Sequence, residues 1–259
     1  MPQIFEQSLK WNIFHYTNLS ALPSIFRNDS IVLWATNVSY LNDPSELLYG
    51  INTLKAVENI TIDPGALRNY YLTSFSQEED SLVMWGQYGE GGQGCALGLD
   101  YDAICKSYEV VCKCIYGRDE ARRDLESILS LLKRGSLVSL TGPQPTEEQN
   151  DEAKKILYNN QLINTCLSVK HEAYRHEKET RAIIRIGEKH FNLVNFRCQR
   201  GFLIPYVQIP IRKDAIKKII IGPTLNAEVT MRSILQMLQI RGYSIDNIEI
   251  QKSSVPFRG

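Results

Sequence analysis

The residues that could do chemistry begin with Glu177-Lys178-Glu179-Thr180-Arg181, which runs into the apolar stretch Ala182-Ile183-Ile184-Arg185-Ile186. In an extended strand side chains alternate between faces, so the reading expects Glu177, Glu179 and Arg181 to project together from one side. Burying such charges costs several kcal/mol unless they are paired, so the group should line either a wet surface or a ligand cleft. As a surface network each pair would contribute less than about 1 kcal/mol. His15, in His15-Tyr16-Thr17, ends a first expected strand and is either a packed or capping residue or a functional one. Asn42-Asp43-Pro44-Ser45-Glu46 carries the signals of a helix start. The same free N–H groups could meet an anion, and Asn42 is then the contacting residue, because Asp43 and Glu46 would repel a phosphate. Ser74-Phe75-Ser76 at a strand end, and Trp85 one helical turn from Tyr88, form a polar and aromatic patch that could be core or could pack against a ring.

Several chemistries are not indicated. The glycine-rich run Gly89-Glu90-Gly91-Gly92-Gln93-Gly94 lacks the Lys-Ser/Thr ending of a phosphate-binding loop and precedes a strand, so it reads as a flexible turn. No nucleophile elbow, kinase set or paired-histidine zinc helix occurs, and no bound metal is expected. The cysteines at 95, 105, 112, 114, 166 and 198 do not form two close couples, so reduced, buried thiols are expected. Cys112-Lys113-Cys114 reads as part of one alternating strand with both thiols on the core face.

The elements that must position these residues follow from composition and pattern. The chain has 259 residues with 29 basic and 29 acidic side chains, enough length for one large domain and no net charge to favour nucleic acid or a membrane surface. The stretch Met1–Glu6 lacks a secretion signal's pattern and no segment is apolar for long enough to span a bilayer, so a cytoplasmic location without membrane contact is expected. The spacing predicts a strand at Ile13–Tyr16, a helix over Leu19–Phe26 capped by Thr17, a strand at Ile31–Trp34 and a helix from the Asn42 region to about Asn59. Strands at Tyr70–Phe75 and Cys95–Leu99 should flank a short helix over Leu82–Tyr88. A helical hairpin fills roughly 118–168, broken at Thr141-Gly142-Pro143-Gln144-Pro145, with Thr146 and Gln149 as a capping box for its second helix. Beyond the charged motif, Phe202–Ile204 and Tyr206–Ile209 flank Pro205, which implies an edge strand or a bulge. Ile216–Gly222 reads as a strand, Ala227–Arg241 as a helix capped by Asn226 and ended by Gly242, and Ile245–Ile250 as the last strand. Irregular alternation of strands and helices predicts an α+β fold, with mixed, mainly antiparallel sheets, flanking helices and 118–168 as an insertion in a single domain.

Taken in order, His15-Tyr16-Thr17, Asn42-Asp43-Pro44-x-Glu46, Met84-Trp85-x-x-Tyr88 with Gly94, Glu177-x-Glu179-x-Arg181, Ile221-Gly222-Pro223 and Ser254-Val255-Pro256-Phe257-Arg258 resemble a bacterial family catalogued as domain of unknown function twenty-nine seventy-one. The amino-terminal pattern is also similar, more loosely, to that of DarT-type ADP-ribosyltransferases. That likeness implies an ADP-ribosyltransferase-like fold and NAD as the substrate, with a nucleic acid or protein as acceptor, in a toxin or antiphage role. It places His15, then Ser74 or Tyr88, then Glu179 in the three positions of such a site. Under this resemblance Glu179 stabilises the ribose cation, Glu177 orients or deprotonates the acceptor, and His15 bonds the adenosine ribose. Trp85 or Tyr88 stacks on nicotinamide, Arg181 contacts the diphosphate or pins a glutamate, and Tyr16, Thr17, Asn42 and Ser74 complete the NAD-binding set. The alternative is a catalytically inactive module that binds a nucleotide or a partner.

Overall fold

The computed structural model describes residues 12–43, 45–134, 146–199, 201–224 and 226–256. The Met1–Glu6 stretch, Pro44, the break at 141–145, the side chain of Gln149, and Phe257 and Arg258 of the terminal motif lie outside the described residues. In chain order the elements are β1 (Asn12–Thr17), α1 (Leu22–Ile25), β2 (Ile31–Asn37), α2 (Ser45–Glu58), β3 (Tyr70–Ser76), α3 (Leu82–Tyr88) and β4 (Cys95–Asp100). They continue with α4 (Tyr101–Ser107), β5 (Val110–Lys113), β6 (Ile115–Tyr116), α5 (Arg118–Arg134), α6 (Glu147–Ser168), β7 (Val169–Lys170) and β8 (Glu179–Arg185). The last are β9 (Val194–Gln199), β10 (Phe202–Ile211), β11 (Ile216–Ile221), α7 (Ala227–Ile240) and β12 (Glu249–Lys252). This is an α+β fold. Its main sheet runs β12-β11-β4-β1-β3-β2-β10-β9, with β8 paired to both β3 and β5. The β1–β4, β4–β11, β2–β10 and β9–β10 pairings are antiparallel and β11–β12 is parallel.

Contacts group the chain into two compact units, one of 1–36, 71–112 and 176–259, the other of 37–70 and 113–175. In the first, the central strands are buried on both faces. Ile13 of β1, Leu97 and Leu99 of β4, and Ile219 and Ile221 of β11 enter one apolar cluster with Phe26, Leu33, Ile234 and Leu238. The alternate residues Phe14, Tyr16, Ala96 and Ile220 enter a second cluster with Met84 and Trp85 of α3. Such double burial explains why these strands read as near-continuous apolar runs.

The second unit holds the helical hairpin with α2 and the β6–β7 pair. Gly50 of α2 faces the Cys166 carbonyl of α6 so closely that a Cβ would collide with it. The Asn42–Glu46 cluster is a helix start built for this unit. Asp43 accepts from the Ser45 backbone N–H at 2.9 Å and its hydroxyl at 2.7 Å, and Tyr174 donates to it at 3.3 Å. The Ser45 hydrogen bonds hold the Asp43 carboxyl below its ordinary range. Glu46 pairs at 3.0 Å with Lys170, a lysine withdrawn from solvent.

Some local expectations are corrected. The helix expected over Leu19–Phe26 is a 3-10 turn followed by one α turn, and its cap is Asn18, whose side chain accepts from the Ala21 N–H at 2.8 Å, in place of Thr17. Val110–Tyr116 is two strands that join different partners, and Cys105 and Cys198 are exposed, so the thiols are not all buried. Asn226 stands at the α7 start without a side-chain cap bond, and Ile245–Asn247 is a 3-10 turn before β12. Pro205 lies inside one continuous strand, in the half of β10 that has β9 alone beside it, where a missing N–H interrupts no second ladder. β7, β9 and α4 were not legible, being short or mixed in pattern.

Two glycines of the sequence motifs are explained by close approach. A Cβ on Gly94 would strike the carbonyl of Thr17, and one on Gly222 would strike that of Gly92. The Gly222 N–H donates to the Gly94 carbonyl at 2.9 Å, which locks the glycine turn to the end of β11. Since the obstacles are backbone atoms, Gly94→Ala is expected to destabilise the protein by about 1–3 kcal/mol, read as a lowered denaturant midpoint.

Candidate functional site

The charged motif does not emerge as one strand face. Glu177 ends a 3-10 segment, Lys178 has a φ of 43°, and only from Glu179 is the chain extended. A positive φ is incompatible with a strand, so the turn at Lys178 resets the alternation and Glu177 is positioned independently of Glu179 and Arg181. Nor is the group a surface network: Glu177, Glu179 and Arg181 are 2, 4 and 3% exposed.

Each charge is met inside the fold. Arg181 donates from Nε to Glu179 Oε1 at 2.9 Å and from its terminal nitrogen to Oε2 at 3.1 Å, a bidentate pair between residues on the same side of β8. Tyr88, at the end of α3, donates its hydroxyl to Glu177 Oε1 at 2.9 Å. The Glu177 carbonyl accepts from Ser76 Oγ at 2.7 Å, and that oxygen accepts from the Glu78 N–H at 3.0 Å. The Gln77 N–H donates to the Lys178 carbonyl at 3.1 Å, and Gln77 Nε2 to Thr180 Oγ1 at 3.2 Å. Ser76 and Gln77 therefore clasp the entry to β8 onto the end of β3. Lys178, pointing outward, pairs with Glu78.

His15 reaches the same strand from the other side. Its Nδ1 lies 3.0 Å from the Ser74 carbonyl, and Phe14 of β1 is in register with Ser76 of β3. A carbonyl can only accept, so Nδ1 carries the proton and, in the neutral ring, Nε2 is left as an acceptor. Burial lowers the His15 pKa from its ordinary 6.5, more than the Ser74 bond raises it, and the Arg197 charge lowers it further. The ring is thus neutral at physiological pH, with an edge against Phe75 at 5.8 Å.

The aromatic residues divide by role. Trp85 has no exposed surface; its Nε1 donates to Asp80 at 2.7 Å and its ring meets Tyr16 edge-on at 4.8 Å. The Tyr16 hydroxyl donates to the Glu78 carbonyl and accepts from the Ser81 N–H, so both its ring and its oxygen serve the interior; burial first, then the Asp80, Glu78 and Glu79 carboxylates, raise its pKa against the Ser81 bond. Tyr88 is the aromatic of the patch that keeps accessible surface while touching a carboxylate. Thr17 is half-buried, Ser74 contributes its carbonyl while its side chain is exposed, and Asn42 is exposed in the second unit.

Two contributors escaped sequence reasoning. Ser76 holds Glu177, although Ser74 was the serine singled out from the same run. Asp80 accepts from Trp85, from Ser253 Oγ at 2.6 Å, and from the Ser254 N–H and hydroxyl at 2.7 and 2.9 Å, which ties the terminal Ser254-Val255-Pro256 motif to α3. Burial opposes ionisation of Asp80, but these bonds outweigh it and hold the carboxyl below its ordinary value. Val255 packs in the same cluster as Tyr88. Among the described residues no group of three His, Cys, Asp or Glu side chains could hold a metal ion, and no helix is long and apolar enough to cross a membrane.

The geometry defines an α+β unit with two internally held carboxylates beside a neutral histidine strand. Residues 84–182 match the model of a family described as protein of unknown function DUF2971, which supports assignment to the family that the motifs resemble. The matched stretch opens on Met84 and Trp85 and closes just past Arg181, so it contains both partners of the Tyr88–Glu177 contact. A search of curated proteins finds no match.

Two outcomes test this arrangement. Arg181→Met is expected to cost about 3–5 kcal/mol of stability because it strands the Glu179 carboxylate, whereas the double substitution Glu179→Leu with Arg181→Met costs far less, as read from denaturant unfolding. For His15 the folded pKa lies below 6.5, so the unfolded chain takes up the proton first as pH falls; full stability holds above 6.5 and is lost as pH drops through that value toward the folded pKa. The advantage of the wild type over His15→Gln should therefore shrink between about pH 8 and pH 5, and the His15 ring resonances should titrate below 6.5.

Proposed function

We propose that the chain is an NAD-dependent ADP-ribosyltransferase, of the kind deployed as a bacterial toxin or antiphage effector, acting inside the cell on a nucleic acid or a protein. The observation that carries the reading is the convergence at β3, where His15 bonds the Ser74 carbonyl, Ser76 holds the Glu177 backbone and Tyr88 holds the Glu177 carboxylate.

On this reading the bond between nicotinamide and ribose breaks with its electron pair leaving on nicotinamide. The acceptor's nucleophile then forms a bond to the same ribose carbon and gives up its proton. The positive charge of the nicotinamide ring moves onto the ribose as neutral nicotinamide leaves, and a fixed carboxylate beside the ribose stabilises the charge there more than it does in the ground state. Glu179, pinned by Arg181, is assigned that role and the ribose hydroxyl. Glu177, oriented by Tyr88, is assigned to the acceptor proton. His15 Nε2, an acceptor in the neutral tautomer, suits a hydroxyl of the adenosine ribose. With Trp85 enclosed, the stacking face for nicotinamide falls to Tyr88. Thr17 and Ser74 stay in the proposed NAD-binding set, Tyr16 supports it from inside, Asn42 of the second unit is given no part in it, and no metal is invoked.

A second reading, a catalytically inactive module that binds a nucleotide or partner, draws support from the bidentate closure of Glu179 by Arg181 and the burial of both carboxylates. NAD labelled separately in nicotinamide and adenine, incubated with nucleic-acid and protein acceptors, separates the two. The transferase reading expects nicotinamide release and label transfer, reduced by about 100-fold or more in Glu179→Gln. Binding of NAD with neither release nor transfer supports the inactive module, and no NAD binding at all sinks the transferase.

A further inference from the structure

Arg197 of β9 is held differently from Arg181 and Arg212 of the same unit. Arg181 is closed by Glu179, and Arg212 pairs with Asp214 and Asp100. The half-buried Arg197 guanidinium instead donates to the Thr36 hydroxyl at 3.0 Å, and among the described residues no carboxylate pairs with it. Its carbon lies 5.6 Å from the centroids of Trp34 and Tyr206, rings stacked on each other at 4.4 Å. The pairings Tyr206 with Thr36, Gln208 with Trp34 and Ile204 with Arg197 put Trp34, Thr36, Tyr206 and Arg197 on one face of the β2–β10–β9 strands.

Two donors in this cluster, Arg197 Nε and Trp34 Nε1, are buried without an acceptor among the described residues. Buried donors are ordinarily satisfied, and a partly desolvated cation ordinarily has a counter-charge, so among the described residues these two donors lack acceptor oxygens and the cation lacks a negative partner. Ring faces attract the cation but bring no lone pair to the N–H groups. Arg197 is also close enough for its charge to lower the His15 pKa, which links the two residues across the strands. The planar fork of a guanidinium matches two oxygens of a phosphate.

We propose that Arg197, with Thr36, Trp34 and Tyr206, forms an anion subsite that takes the diphosphate of the dinucleotide, the task that Arg181 cannot perform while it holds Glu179. The identity of the ligand rests on the transferase reading; the anion site itself rests on the Arg197 cluster. Inorganic pyrophosphate, NAD and nicotinamide riboside, which has no phosphate, are titrated calorimetrically into the wild type, Arg197→Gln, Arg197→Lys and Arg212→Gln, and the arginine Nε–H resonances of the wild type are followed in parallel.

Pyrophosphate and NAD should bind the wild type and Arg212→Gln alike, about tenfold or more weaker in Arg197→Gln, and to an intermediate degree in Arg197→Lys. The riboside should be insensitive to Arg197, and the Arg197 Nε–H should shift on adding pyrophosphate. Equal pyrophosphate affinity in wild type and Arg197→Gln overturns the site, as does an unmoved Arg197 resonance, a result that needs no variant to fold. Pyrophosphate binding through Arg197 without NAD binding leaves the anion site standing and removes the transferase. Equal NAD binding by wild type and Arg197→Gln removes the subsite and leaves the transferase.

Discussion

The hydrogen-bonded junction between the end of β3 and the entry to β8 is the constraint on which the rest of the site depends. Two carboxylates and a guanidinium are withdrawn from water there, a state tolerable only when each charge meets a partner in good geometry. Arg181 and Glu179 solve this within one strand, because residues two apart on the same side can form a fork. Glu177 is met by a tyrosine from α3 and carried by the Ser76 hydroxyl of β3. Loss of strand conformation at Lys178 is what separates the two solutions.

That junction imposes order on the elements around it. α3 must end where Tyr88 can reach Glu177, and Asp80 fixes its beginning through Trp85 while binding Ser253 and Ser254. The glycine turn after α3 must pass close to β1 and to the end of β11, and only residues without a Cβ allow those approaches at Gly94 and Gly222. Five of the sequence motifs thus become parts of one packing problem within the first unit. The Asn42–Glu46 motif belongs to a different one, in which a helix cap and a buried lysine pair stabilise the second unit.

Much of the fold was legible. The runs Tyr70–Phe75 and Cys95–Leu99 and the helix over Leu82–Tyr88 are recovered closely, because apolar residues and glycine or serine punctuation make their limits local properties. Misreadings share a cause in non-local pairing. Val110–Tyr116 alternates well enough for one strand but is divided because β5 and β6 have different partners. β9 is stabilised by β10 on one side, and its own sequence alternates too weakly to announce it. In the site, Glu177, Glu179, Arg181, Tyr88 and His15 were visible as residue types and Ser76 only as part of the Ser74-Phe75-Ser76 run, while Asp80 and Arg197 were not, since a serine, an aspartate and an arginine gain meaning only from what lies opposite them.

By itself the sequence determined which segments are strands and helices, that the class is α+β, and that a cluster of charges precedes a buried strand. Those properties follow from side-chain period and backbone preference, which act over a few residues. Tertiary structure alone decided that the charges are interior, that Glu177 and Glu179 are held by different partners, that Trp85 is enclosed while Tyr88 is not, and that Arg197 meets no carboxylate among the described residues. Burial and pairing are set by residues far apart in the chain that the sheet brings to neighbouring strands, and no local pattern encodes them.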